Sequence, residues 1–269
     1  MKAFVIDVSR CMGCYACQVV CKDEHCANDW TPYARPQPDT GQFWGQMNEY
    51  VRGNCPQVKM SYVFVPCQHC DDAPCIPACP VEGGLYRRAD GLVIIDPQKC
   101  TGCKNCVDSC PYGRIYFNDD LNLAQKCTGC AHLLDRGGGF KVPRCVDVCG
   151  TGAIKFGEES ELQDLIDQAE ILHPEYGLSP RVYYLNLPRK FIAGTVYTPD
   201  DQEVVIGATC TLTGEGETYT QRTNDWGDFW FDGLKAGTYV LKIETGDRSK
   251  TITGISTEQD VGLGDIALT

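Results

Sequence analysis

Apolar and polar residues take turns along the last third of the chain. Ile206, Ala208, Cys210 and Leu212 alternate with Gly207, Thr209 and Thr211, the period of two that sets one face of a strand against a core. Short runs of the same kind follow at Thr218–Arg222, Asp228–Phe231, Thr238–Glu244, Ser249–Ile255 and Val261–Leu268. Turn residues separate them: Asp200-Asp201, Gly214, Gly216, Gly227, Gly233, Gly237, Gly246-Asp247 and Gly262. About seven short strands in this span predict a small all-β sandwich or barrel.

The period changes just upstream. Leu162, Leu165, Ile166, Ala169 and Leu172 recur at helical spacing and Pro174 ends the pattern. Ser160 is placed to cap this helix, with Gln163 at the reciprocal position of a capping box. Residues 173–190 then read as a connector.

The first 157 residues look different again. Short β-type runs, Ala3-Phe4-Val5-Ile6-Asp7, Gly91–Asp96 and Ala153–Phe156, alternate with groups of cysteines. An insertion over 27–66 breaks the alternation and is rich in aromatics: Trp30, Tyr33, Phe43, Trp44, Tyr50, Tyr62 and Phe64. Such residues either shield a buried centre from water or form a partner surface; shielding is the preferred reading.

Cysteine carries the chemistry. Sixteen of the 19 fall into four quartets: Cys11, Cys14, Cys17, Cys21; Cys67, Cys70, Cys75, Cys79; Cys100, Cys103, Cys106, Cys110; and Cys127, Cys130, Cys145, Cys149. The first and third share the spacing C-x2-C-x2-C-x3-C. Three cysteines of such a loop reach one cubane cluster while the fourth reaches a neighbouring one, and Pro80 and Pro111 supply the C-P ending. Four [4Fe–4S] clusters, and hence electron transfer, are the implication. Structural zinc wants two separated pairs, which leaves the third cysteine of each tight loop unused. A disulfide scaffold fits poorly with an odd cysteine count and with a first stretch that meets Asp7 before any long apolar region.

Cys26, Cys55 and Cys210 lie outside the quartets, with Cys210 on the apolar side of its strand. His69, inside the Cys67–Cys70 loop, is read as a neighbour of a cluster rather than a ligand. His25, His132 and His173 form no recognisable site, Gly137-Gly138-Gly139 reads as a turn, and no catalytic triad or nucleotide loop accompanies the cysteines.

Charge and hydropathy narrow the partners. The formal net charge is −12, with 5 basic and 13 acidic side chains in residues 191–269. This argues against nucleic acid, which demands a basic stripe. No run approaches the 18 apolar residues of a membrane span.

The motif Cys67-Gln68-His69-Cys70 through Cys79-Pro80, the run Asp90–Asp96 with the third quartet, and Gln125-Lys126-Cys127-Thr128-Gly129-Cys130 with Pro143-Arg144-Cys145 resemble the electron-transfer subunits of molybdopterin (dimethyl-sulfoxide-reductase-type) oxidoreductases. Asp7-Val8, Ala131–Asp135 and Arg181-Val182-Tyr183-Tyr184-Leu185-Asn186-Leu187, leading into a β-sandwich, are similar to the small subunits of the pyrogallol–phloroglucinol transhydroxylase group. Those small subunits keep three clusters, whereas all four quartets are intact here.

The resemblance implies an α+β chain. A tandem bacterial-ferredoxin-like domain would occupy 1–157, helix and connector 158–190, and a transthyretin- or immunoglobulin-like sandwich 191–269. It implies a ligand map. Cys11, Cys14, Cys17 and Cys149 would hold cluster 1, and Cys21, Cys127, Cys130 and Cys145 cluster 2. Cys67, Cys70, Cys75 and Cys110 would hold cluster 3, and Cys79, Cys100, Cys103 and Cys106 cluster 4. The chain would not be catalytic alone. It would relay electrons between an external carrier and a large partner, as a heterodimer or higher assembly, with molybdopterin guanine dinucleotide and molybdenum or tungsten confined to that partner. A polyphenol hydroxylated, dehydroxylated or transhydroxylated there is the expected substrate, with a respiratory reductase or formate-type dehydrogenase as the alternative. The expected location is cytoplasmic, or exported with a partner that carries a twin-arginine signal.

Overall fold

The computed structural model describes every residue except Gly138, so the middle of the Gly137–Gly139 run lies outside the described residues. Two compact units emerge, one of Met1–Glu49 with Tyr62–Leu187 and the other of Tyr50–Ser61 with Pro188–Thr269. Among the described residues no helix is long and apolar enough to cross a membrane.

In chain order the first unit holds β1 (Lys2–Asp7), α1 (Ala16–His25), the hairpin β2 (Gln46–Asn54) and β3 (Gln57–Val65), α2 (Cys75–Ala78), β4 (Leu85–Arg87), β5 (Val93–Ile95), α3 (Asn105–Asp108), β6 (Tyr116–Asn118), β7 (Leu123–Gln125), α4 (Ala131–Arg136), α5 (Arg144–Asp147), β8 (Ile154–Glu158), α6 (Glu159–Ile166) and β9 (Val182–Leu185). The outer part of the hairpin belongs to the second unit. β1 lies between β8, antiparallel, and β9, parallel. Ala3, Phe4, Val5 and Ile6 are each 1% exposed. A central strand covered on both faces reads as an unbroken apolar run. β4–β5 and β6–β7 are three-residue antiparallel ladders set between the cysteine groups.

Three expectations shift. The helix starts at Glu159 rather than after a Ser160 cap, and the Glu161 carboxylate accepts the Glu158 N–H at 3.0 Å. Glu158 is fixed there because its carboxylate meets the chain's amino terminus and Lys2, each at 2.9 Å. The helix also stops at Ile166, short of Leu172. The supposed connector contains β9, whose Val182 and Tyr184 are fully buried. Arg181 fixes its start by donating two hydrogen bonds to Asp71, at 2.8 and 2.7 Å. As a result 158–187 sits with the cysteine-bearing unit, and 50–61 leaves it for the other.

Besides the hairpin end, the second unit has seven strands: β10 (Lys190–Tyr197), β11 (Thr209–Gly214), β12 (Glu217–Arg222), β13 (Asp228–Leu234), β14 (Thr238–Thr245), β15 (Arg248–Ser256) and β16 (Val261–Ala267). They form two sheets, ordered β13-β10-β16 and β12-β11-β14-β15. Ile192, Val196, Cys210, Leu212, Leu241 and Ile243 are fully buried between them, the inward half of the alternating pattern. Ile206 does not join that face: it lies in the turn before β11 and is 59% exposed. The hairpin end is tied in by polar contacts. Gln57 donates to Thr195 Oγ1 at 3.2 Å and accepts from the Gly264 N–H, while Asn54 accepts from the Gly262 N–H at 2.9 Å.

Candidate metal centres

Each quartet is built on the same backbone device. The residue before its second cysteine is left-handed: Gly13 (φ 69°), His69 (46°), Gly102 (74°) and Gly129 (62°). That conformation favours glycine, and it turns the loop around its own sulfur. The His69 N–H approaches Cys67 Sγ at 3.5 Å and the Gly129 N–H approaches Cys127 Sγ at 3.4 Å. The sequence carried this signal as a glycine in three of the four loops. His69 hid the fourth.

The second half of each quartet sits on a helix. Cys17 and Cys21 lie on α1, and Cys75 begins α2 with Cys79 as its cap. Cys106 and Cys145 lie on α3 and α5, with Cys110 and Cys149 just past their ends. α1 packs on α5, and α2 on α3.

This arrangement brings cysteines of different quartets together. Cys11, Cys14, Cys17 and Cys149 line one cavity of about 460 Å³ together with Ile6, Met47, Phe64 and Ile154. Cys67, Cys70, Cys75 and Cys110 line a second, tighter space of about 20 Å³. Cys21 lies within electrostatic reach of Cys127 and Cys130, and Cys145 of all three. Cys106 stands in the same relation to Cys79, Cys100 and Cys103. In each group three cysteines come from one quartet and the fourth from another.

Neighbouring groups lie within electrostatic reach of one another. Cys145 also feels Cys17, Cys106 feels Cys75, and Cys127 feels Cys67. The order is therefore linear: first group, second, third, fourth. Cys14 and Cys103 are exposed at its ends, while Cys21, Cys130, Cys145, Cys67, Cys70 and Cys75 are buried.

Burial, followed by the mutual repulsion of thiolates, pushes Cys17, Cys70 and Cys106 up to about 12. Burial raises Cys130 to about 12, and Cys75 and Cys127 to about 11, with the same repulsion added. It drives Cys21 and Cys145 well above the usual thiol value. Cys149 goes the other way. Burial opposes ionisation there, but Thr151 and the N–H groups of Ile154, Ala153 and Thr151 outweigh it. Thiols held this high give up their protons only to a strongly bound cation, so loading releases protons.

The donor set fits iron–sulfur chemistry. A single ion needs four sulfurs about 2.3 Å from one point, and among the described residues no three His, Cys, Asp or Glu side chains are placed to hold one ion. Thiol-only groups walled by apolar side chains suit a larger, multi-iron group. The aromatic insertion contributes to the walls. Trp44, 1% exposed, packs with Cys21 and Cys127, and Phe64 lines the first cavity. Tyr50 is exposed and takes no part.

The leftover cysteines stand apart. Cys26 donates to Asp39 at 3.1 Å, Cys55 is exposed at the hairpin end, and Cys210 is buried in the β-sandwich core. His25 and His132 pack against each other and against Trp44 and Trp30, and His132 meets Glu24 at 3.0 Å. His173 stacks on Tyr176.

Residues 58–159 match the 4Fe-4S dicluster domain and residues 192–269 the carboxypeptidase regulatory-like domain. The pyrogallol hydroxytransferase small subunit of Pelobacter acidigallici is 38% identical over 98% of this chain and 98% of its own. A tetrathionate reductase subunit of Salmonella typhimurium is 35% identical over 71% of this chain and 74% of its own. A subunit of the anaerobic dimethyl sulfoxide reductase of Escherichia coli is 36% identical over 60% and 75%. On this likeness the chain belongs to the iron–sulfur electron-transfer subunits of the molybdopterin oxidoreductases.

Proposed function

We propose that the sixteen quartet cysteines hold four [4Fe–4S] clusters, one in each group, forming an unbroken relay through the first unit. The observation that carries this is the linear order of the groups, each sharing a helix or lying within electrostatic reach of the next. Clusters held by these cysteines would supply one-electron transfer without making or breaking a substrate bond. The protein's part is to space the sites, exclude water from the two inner ones, and leave an edge open at each end. Cys14, with the exposed Met12 and Val19 beside it, forms one edge, and Cys103 forms the other. One end would face a large subunit that carries molybdopterin, and the other an external carrier.

The partner's substrate is proposed to be a polyphenol. The relative named for pyrogallol matches across both units, whereas the tetrathionate reductase and dimethyl sulfoxide reductase subunits match only 71% and 60% of this chain. The β-sandwich thus favours the phenolic reading over a respiratory reductase.

The test is anaerobic co-purification with the large subunit, followed by iron analysis and EPR of the dithionite-reduced complex. About 16 iron atoms per chain and four reducible signals are expected. About 12 or fewer in a fully loaded preparation, or a large subunit without molybdopterin, overturns the proposal. Turnover of tetrathionate or dimethyl sulfoxide but of no phenol selects the respiratory alternative.

A further inference from the structure

Lys126 is a buried cation that no carboxylate neutralises. Its side chain lies in a residue 2% exposed, and its Nζ donates to the carbonyls of Val93 and, at 3.0 Å, Cys127. Among the described residues no Asp or Glu is within ion-pair distance of it. An ammonium removed from water is favoured there by a compensating negative charge.

His69 presents a second open demand at the same place. It is 1% exposed, and its Nδ1 accepts the Val93 N–H at 2.9 Å. The proton of the neutral ring therefore sits on Nε2, and that Nε2 is buried without a hydrogen-bond partner. One residue of β5 holds both groups: the Val93 N–H serves His69, and the Val93 carbonyl serves Lys126.

Both demands meet the third cysteine group. His69 lines its cavity with Cys67, Cys70, Cys75 and Cys110. Lys126 reaches the same place through Val93, whose carbonyl accepts from its Nζ and which lines that cavity beside His69. A [4Fe–4S] centre on four thiolates is anionic and gains one further negative charge on reduction. A nearby cation and an N–H donor stabilise the reduced form more than the oxidised one, which raises the potential.

We propose that Lys126 and His69 raise the potential of the cluster held by Cys67, Cys70, Cys75 and Cys110, making it the electron reservoir in the middle of the relay. This rests on the four-cluster reading above. Lys126 and His69 act here as positioning residues for charge, without ligating iron.

The experiment is an EPR-monitored redox titration of the intact complex, comparing wild type with Lys126→Met, Lys126→Arg and His69→Leu. Cys75→Ser identifies which signal belongs to this cluster. Lys126→Met is expected to shift that cluster's reduction equilibrium at least tenfold toward the oxidised form, about 59 mV lower for one electron. Lys126→Arg, which keeps the charge, is expected to stay within threefold of wild type, and His69→Leu to shift in the same direction as Lys126→Met. The proposal is overturned if Lys126→Met retains all its iron and all four equilibria stay within threefold of wild type. It is also overturned if Lys126→Arg shifts as far as Lys126→Met. If Lys126→Met fails to load iron, His69→Leu decides by the same criterion. A wild-type complex lacking this cluster defeats the four-cluster reading instead, which iron analysis registers before any titration.

Discussion

Cys17 and Cys21 lie one turn apart on α1, yet their sulfurs belong to different groups. Cys17 faces Cys11, Cys14 and Cys149, and Cys21 faces Cys127 and Cys130. Four residues of helix rise about 6 Å, so a single turn sets the separation of two cysteine groups. Cys17→Ser and Cys21→Ser should each cost about four of about 16 irons and abolish different EPR signals. Both variants losing the same signal would falsify the crossed ligand map.

The left-handed residue before each second cysteine makes Gly102 a sharp test of the loop. Its φ is 74°, and a Cβ there would lie 2.6 Å from the Asn122 carbonyl oxygen, a backbone atom that cannot swing away. The left-handed conformation costs a non-glycine residue about 1–2 kcal/mol, and overpacking adds about 1–3 kcal/mol. Gly102→Ala should lose the cluster of Cys79, Cys100, Cys103 and Cys106 while keeping the other three signals. Gly113→Ala, also at positive φ but in open space, should retain all four. Full iron content in Gly102→Ala would remove the loop argument.

How much was legible depended on range. The cysteine quartets are local patterns, so their spacing announced the chemistry directly. The alternation at Ala208, Cys210 and Leu212 likewise announced an inward face. β9 was not legible because Val182–Leu185 owes its strand to β1, which lies at the very start of the chain. The cap of α6 moved to Glu158 because the chain's amino terminus and Lys2 hold that residue. The hairpin end was not legible as part of the second unit for the same reason: Asn54 and Gln57 find their partners beyond residue 190. Lys126 and His69 were visible as letters, but their shared anchor on Val93 needed the fold.

Asp135 offers a pH test away from the cysteines. Its carboxylate accepts from both Arg88 Nη atoms at 2.7 and 2.8 Å and from the Tyr33 hydroxyl at 2.6 Å. The Arg88 hydrogen bonds hold it down to about 2, with Tyr33 adding to them against the opposing effect of burial. A depressed carboxyl stabilises the fold fully above its unfolded value near about 3.9, and that contribution is lost as the pH falls toward about 2. The side chain is 38% exposed, so solvent screening leaves about 1 kcal/mol. Asp135→Asn should therefore lower stability equally at pH 8 and pH 6 in urea melts, with the gap closing only below about pH 4. A gap that changes between pH 8 and pH 6 contradicts this assignment.

The β-sandwich should yield without disturbing the iron. Leu212 is fully buried among Ile192, Phe229, Tyr239 and Leu241, and no quartet cysteine belongs to that core. Truncating a buried leucine removes its transfer energy and leaves a cavity, about 2–5 kcal/mol together. A seven-strand sandwich of this size has little more than that to spare, since domains are stable by only about 5–15 kcal/mol. Leu212→Ala is thus expected to lower the midpoint of a distinct β-rich unfolding transition in far-UV circular dichroism. Visible absorbance of the clusters should be unchanged until a higher temperature. Cys210→Ala tests the same core from the cysteine side: it should weaken the sandwich modestly and cost no iron, because its thiol lies in the sandwich core with the Ala208 carbonyl at 3.9 Å. Iron loss in step with β-sheet loss in either variant would mean that the sandwich supports the relay itself, and that the two cores do not unfold separately.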